Sequence, residues 1–283
     1  MEDFTGPPSI LSKAFEILRA FTTKERVMTL TQLTEATGLS KSSVHRLLLR
    51  LMELGAIEQN PRGYKIGIDL LQIGAKTPAA GLRDMAMSHL ADLHLRTHQT
   101  VHLAVLRKFD IVYLTKLEAG DTLSALSGIG ARLPANCSAL GKVLLAYEDL
   151  AVLRENMPTS LSRMTPASLT DPAALIAELR QVRSRGIACE EGETQRSLAC
   201  IASPVLVSGV AVGAVSVAYQ RGAVLSGQVE TALRNTTTRI AIDASHTLSE
   251  RTHWHQGLDP AALNESWAGT VAPDGLKHPR QSG

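Results

Sequence analysis

Lys41, Ser42, Ser43, His45, Arg46 and Arg50 fall within one ten-residue stretch, where Val44, Leu47 and Leu48 interleave with them at helical spacing. Wound as a helix, this stretch puts its apolar residues on one side and its polar and basic residues on the other. It can then seat on a small core and still offer bonding groups to a nucleic acid. Serine hydroxyls bond several base patterns, arginine matches the paired acceptors of guanine, and phosphate contacts add strength without reading sequence. On that chemistry Ser42, Ser43 and Arg46 are assigned to base edges, and Lys41, Arg50 and Arg62 to phosphates, with Lys65 near them. His45 fits either a DNA contact or a place between helices. Lys and Arg on a helix are ordinarily just its solvated face, so the assignment rests on the elements around them.

Those elements form an ordered set. Ile10, Leu11, Ala14, Ile17, Leu18 and Phe21 recur every three or four residues, which predicts a first helix. Thr29 with Gln32 three residues on is a capping box for a second helix, with Leu30, Leu33 and Ala36 inward and Thr37-Gly38 as its end. Ser40 caps a third helix, whose apolar stripe is Val44, Leu47, Leu48, Leu51, Met52 and Leu54. After Gly55, residues 56–59 and 64–66 flank the turn Asn60-Pro-Arg-Gly63, a small hairpin that serves as a wing. The set is a winged helix-turn-helix, in which the third helix enters a major groove.

A chain of 283 residues more naturally forms two modules than one. The organisation expected is a DNA-binding domain over 9–66, a connector helix over 67–78, an effector-type domain over 79–250 and a flexible tail over 251–283 containing Trp254 and Trp267. With 44% hydrophobic and 20% charged residues and a formal charge of +2, the composition is that of a globular protein, and the net charge alone does not mark a nucleic-acid binder. Cys137, Cys189 and Cys200 show neither an even count nor a CxxC spacing, which argues against a disulfide framework or zinc cluster. No secretion signal or membrane span is read, and a cytoplasmic location is expected.

In the second module Val101, Leu103 and Val105 alternate with their neighbours, and residues 111–114, 201–207 and 210–217 also have strand character. Helices are expected over 138–146, 171–183 and about 228–248. The class is α+β with a largely antiparallel sheet. It has neither the strand-helix alternation nor the glycine fingerprint of a dinucleotide-binding fold, and no cofactor is expected.

Taken together these segments resemble the isocitrate lyase regulator, or IclR-type, family of bacterial transcription factors over residues 9–248. The likeness is carried by Ser40-Lys-Ser-Ser-Val-His-Arg-Leu-Leu48, Leu54-Gly55 and Gly63-Tyr-Lys-Ile-Gly67. In the second module it is carried by residues 133–146, by Arg185-Gly-Ile-Ala188 and by Cys200-Ile-Ala-Ser-Pro204. The resemblance implies a GAF-like effector domain, a small organic acid as effector, and self-association as dimer or tetramer. It also implies effector contacts at the backbone of Ala139 and Leu140 and at Glu190, Cys200 and Ser216. Two positions depart from the family pattern: Asn136 stands where histidine is common, and Glu190 where a shorter aspartate is common.

The function expected is therefore ligand-responsive binding to double-stranded DNA at an inverted repeat. Two other classes remain open from the residues alone. One is an enzyme using Ser216, Cys137 or Cys200; the other is an adaptor whose basic helix takes an acidic protein partner.

Overall fold

The computed structural model describes residues 9–21, 25–120, 127–158, 160–223 and 226–248. The expected tail, with Trp254 and Trp267, lies outside the described residues. Helix α1 (Ile10–Ala20) opens on a Ser9 cap, and α2 (Leu30–Thr37) carries the full capping box: Gln32 N–H donates to the Thr29 hydroxyl, and Thr29 N–H donates to the Gln32 side chain. Helix α2 ends at Gly38 in the left-handed conformation, and two residues later Ser40 caps α3 (Lys41–Glu53). Ile17, Leu33, Val44, Leu47, Leu48, Leu51 and Ile57 form one buried cluster that joins the three helices to the hairpin.

The hairpin pairs β1 (Ile57–Asn60) with β2 (Gly63–Ile66) in antiparallel register. Met28 and Tyr64 exchange both backbone hydrogen bonds, so the wing is tied to the segment that leads into α2. Gly63 sits at φ +145°, and a Cβ there would collide with the Met28 carbonyl, so this close approach requires glycine.

Two apolar expectations are corrected. Ile10 and Leu11 on α1 are 64% and 70% exposed, and Leu54 at the end of α3 is also exposed. The first-module core is too small to cover the whole stripe, and only the side of α1 centred on Ile17 reaches it.

A short helix α4 (Asp69–Gly74) leads to α5 (Pro78–Thr97), which starts afresh under a Thr77 cap with Pro78 in its first turn. The chain then builds a six-stranded sheet from β3 (Thr100–Arg107), β4 (Asp110–Leu117), β5 (Arg132–Pro134), β6 (Ala188–Glu191), β7 (Leu198–Val207) and β8 (Val210–Gln220). Its order is β5-β4-β3-β8-β7-β6, with every neighbouring pair antiparallel. Alternation along the strands gives two different faces. Val101, Leu103, Val205, Val215 and Val217 pack under α5 and the last helix, α9 (Gly227–Leu248). Ala104, Ile111, Tyr113, Ala202 and Ala214 face α6 (Ala139–Leu145) and α8 (Pro172–Arg185). Helix α7 (Leu150–Glu155) runs between those two, and it, β5 and β6 are elements that the sequence reading did not identify. Among the described residues no helix is long and apolar enough to cross a membrane.

Candidate DNA-binding face and effector cavity

Lys41, Ser42, His45, Arg46 and Arg50 are exposed on α3, while Val44, Leu47, Leu48 and Leu51 are buried beneath them. The cap uses part of this polar set. Ser43 N–H donates to the Ser40 hydroxyl, which in turn donates to the Ser43 hydroxyl at 2.9 Å. Ser42 is the more available of the two serines. Arg50 pairs with Glu53 at 2.7 Å, and Lys65 pairs with Glu58 at 2.8 Å, whereas Arg62 stands exposed in the hairpin turn, its N–H bonded to the Asn60 side chain. Both ion pairs lie at the surface, where such pairs hold weakly and release at little cost. The face therefore carries five cationic or hydroxyl groups and the His45 imidazole from α3, and two cations from the wing.

In the second module a cavity of about 20 Å³, room for about one water, lies between α6 and the sheet. All five residues implied by the resemblance line it: Ala139 and Leu140 from the start of α6, Glu190 from β6, Cys200 from β7 and Ser216 from β8. Strand register gathers the side chains, because Glu190 lies opposite Cys200 and Ser216 lies opposite His102. His102, Tyr113, Ser127, Thr194 and Leu198 also line it and were not anticipated. His102 was legible as the inward partner in an alternating strand; the rest come together only through non-local pairing.

The cavity's polar groups are bonded to one another. Glu190 Oε1 accepts from Glu193 N–H at 2.7 Å and Thr194 N–H at 2.9 Å, and its carboxylate takes a further hydrogen bond from the Cys200 thiol. Burial pushes the Glu190 carboxyl above its ordinary range, against the lowering pull of those donors and of Lys142. Burial, and then Glu190, hold the Cys200 thiol well above its usual value, so it remains a donor. Burial, and then Lys116, depress His102 to about 3, so its ring is neutral at neutral pH. Its two nitrogens meet Ser127 at 3.0 Å and Ser216 at 3.4 Å.

The Ser216–His102 pair thus continues to Ser127 rather than to an orienting carboxylate. Cys137 is buried with its thiol donating to the Ser162 carbonyl. Among the described residues no group of three or more His, Cys, Asp or Glu could hold a metal ion. Ser138 is a cap, accepting from Gly141 N–H, and also lines the cavity. Asn136 does not line it: its amide donates to the Ser162 and Leu169 carbonyls.

A capped, basic-faced helix beside a wing, joined to a sheet domain with a polar interior cavity, defines a winged helix-turn-helix regulator with a sensor domain. Sequence comparison narrows the class. Residues 10–61 match the model of the IclR helix-turn-helix domain, and residues 75–246 match that of the bacterial transcriptional regulator IclR C-terminal domain. The chain belongs to the IclR family and is a ligand-responsive, DNA-binding transcriptional regulator. It is 35% identical over 201 residues to the HTH-type transcriptional regulator XynR of Escherichia coli (strain K12), covering 69% of this chain and 79% of that protein. It is 29% identical to the Pca regulon regulatory protein of Pseudomonas putida, covering 81% of each. A solved IclR homologue from Microbacterium hydrocarbonoxydans, complexed with 4-hydroxybenzoate, superposes with a TM-score of 0.76 over 84% of this chain and 100% of that one. At 24% identity, that likeness concerns the fold.

Proposed function

We propose that two first modules, in a homodimer or a homotetramer, bind an inverted-repeat operator in the cytoplasm while the second modules sense a small organic acid. In this reading Ser42, Ser43 and Arg46 address base edges, Lys41, Arg50, Arg62 and Lys65 address phosphates, and His45 contributes at the rim of the same face. Exposed Ile10, Leu11 and Phe15 on α1, with Ile68, Leu71 and Ile73 around α4, support self-association, because apolar surface of this kind favours being covered. Two-fold symmetry makes a repeated half-site the natural target.

The observation that carries the sensory half is the convergence of Ala139, Leu140, Glu190, Cys200 and Ser216 on one cavity. The acid bound by the Microbacterium homologue is of the same chemical kind. A cavity of about 20 Å³ admits such a molecule only if its walls move. An effector that prefers the opened arrangement shifts DNA occupancy by the ratio of its affinities for the two arrangements. The test is titration of the full chain against its own upstream DNA, with and without small carboxylic acids. Saturable binding that an acid alters is expected; no saturable binding in low salt would remove the DNA reading, and indifference to every acid would remove the sensory one.

A further inference from the structure

Lys142 lies on α6, three residues after Ala139, yet it points away from the cavity. It is only 1% exposed, and its ammonium sits 2.5 Å from Glu193 and 2.8 Å from Glu178 of α8. Gly141 beside it lets α6 press against the turn at Ala135, where a Cβ would meet the Ala135 backbone. Glu193 belongs to the short loop after β6, and that loop supplies the two N–H groups, from Glu193 and Thr194, that bond Glu190 in the cavity. The same loop is held from the other side by the Thr165 and Ser168 hydroxyls, which donate to the carbonyls of Gly192 and Glu193. One residue, Glu193, is thus gripped by Lys142 through its side chain and grips Glu190 through its backbone.

The charges around this link are unequal. Glu190, Glu193 and Glu178 face Lys142 from β6, the loop and α8. Cys137 and Cys189, the other titratable groups that feel Lys142, are thiols held above their ordinary values by burial first. Two of these carboxyls, Glu193 and Glu178, pair with the one ammonium while Glu190 lies only within its field, and a carboxylate entering the cavity would add a further acidic group. Burial opposes the charge on Lys142, but Glu193 and then Glu178 outweigh it, so it stays protonated. Burial, opposed by Lys142, pushes Glu193 upward.

We propose that Lys142 is a positioning residue for the effector: through Glu193 it holds the loop that fixes Glu190, and its charge lets an anion enter beside that carboxylate. This rests on the reading of the cavity as an acid site. Loss of the ammonium leaves the cluster more negative, so an anion binds more weakly and its binding becomes more dependent on proton uptake. Truncation of a buried charge partner also costs stability, and a Glu193→Gln variant separates the two effects. It keeps an acceptor for the ammonium while removing one negative charge.

The test is calorimetric titration of full-length wild type, Lys142→Met, Lys142→Arg and Glu193→Gln with benzoate, 4-hydroxybenzoate, lactate and malonate across about pH 6 to 8. For whichever acid binds wild type, Lys142→Met is expected to weaken binding about tenfold or more, the equivalent of about one pK unit of interaction, and to steepen its loss as pH rises. Lys142→Arg is expected to restore most of the affinity, and Glu193→Gln to tighten binding and flatten its pH profile. If Lys142→Met does not fold, the opposite-signed change in Glu193→Gln decides. Wild-type affinity and pH profile in both Lys142→Met and Glu193→Gln would overturn the positioning role alone. Failure of every acid to bind wild type at this cavity would overturn both the role and the acid-site reading.

Discussion

The two polar surfaces of this chain are built on opposite terms. On α3 the functional groups stand in water above a buried leucine floor, and each is held by an element whose cap can be read within a few residues of sequence. Around the α6 cavity the groups are buried, bonded to one another, and drawn from seven separate segments. An exposed recognition face can change residues with little effect on folding, whereas a buried polar network is part of what keeps the domain folded. Specificity and stability are separable in the first module and joined in the second.

The strongest test of that contrast strikes the floor rather than the face. Leu48→Ala is expected to cost the first module about 2–5 kcal/mol and to abolish DNA binding by unfolding, while near-ultraviolet circular dichroism of the second module stays unchanged. Arg46→Ala should weaken operator binding by about 1–3 kcal/mol in fluorescence anisotropy with no change in melting temperature. A lowered melting temperature would break the separation claimed for the first module. Ser216→Ala should behave in the reverse way. It leaves a buried ring nitrogen of His102 without its partner, costs about 1–3 kcal/mol of stability in denaturant titration, and leaves operator affinity of the folded protein intact.

The smallest effect sharpens the same comparison through pH. His102 is depressed to about 3 in the fold, below its ordinary value of 6.5. Above about pH 6.5 both folded and unfolded chains hold it neutral, and its contribution is fully present. As pH falls below that value, the unfolded chain takes up a proton that the fold refuses, and stability is lost progressively towards about pH 3. Melting temperature should therefore decline with acidity more steeply in wild type than in His102→Gln, and the imidazole should show no NMR titration between about pH 5 and 8.

How much of this was legible in the sequence follows the same division. Thr29 with Gln32, Ser40 and Gly38 announce helix boundaries by local chemistry, and the structure places the caps there. The hairpin and the long strands were visible for the same reason. The cavity was not legible from spacing: its five anticipated residues came from a family likeness, whereas Tyr113 joins them because β4 pairs with β3 and β3 with β8, Thr194 because it follows β6 where that strand pairs with β7, and Ser127 through its bond to His102. Strand β6 is four residues long and alternates Ala188 and Glu190 inward with Cys189 and Glu191 outward. A buried glutamate on so short a strand conflicts with the ordinary hydrophobic pattern, which hid the element. Ile10 and Leu11 show the converse: a clear helical period indicates that a stripe will be covered, not that the same chain covers it.

The joint at Thr77-Pro78 gives the two modules a particular mechanical relation. Proline brings no N–H to the start of α5, and the Thr77 hydroxyl meets the Ala80 amide from within the new helix. Swinging α5 relative to α4 therefore interrupts no continuous helical ladder, although it strains the turn in which the Thr77 N–H and hydroxyl both donate to the Gly74 carbonyl. A change of angle at that point would alter the reach of Arg46 from the second module while leaving the internal hydrogen bonds of both helices in place.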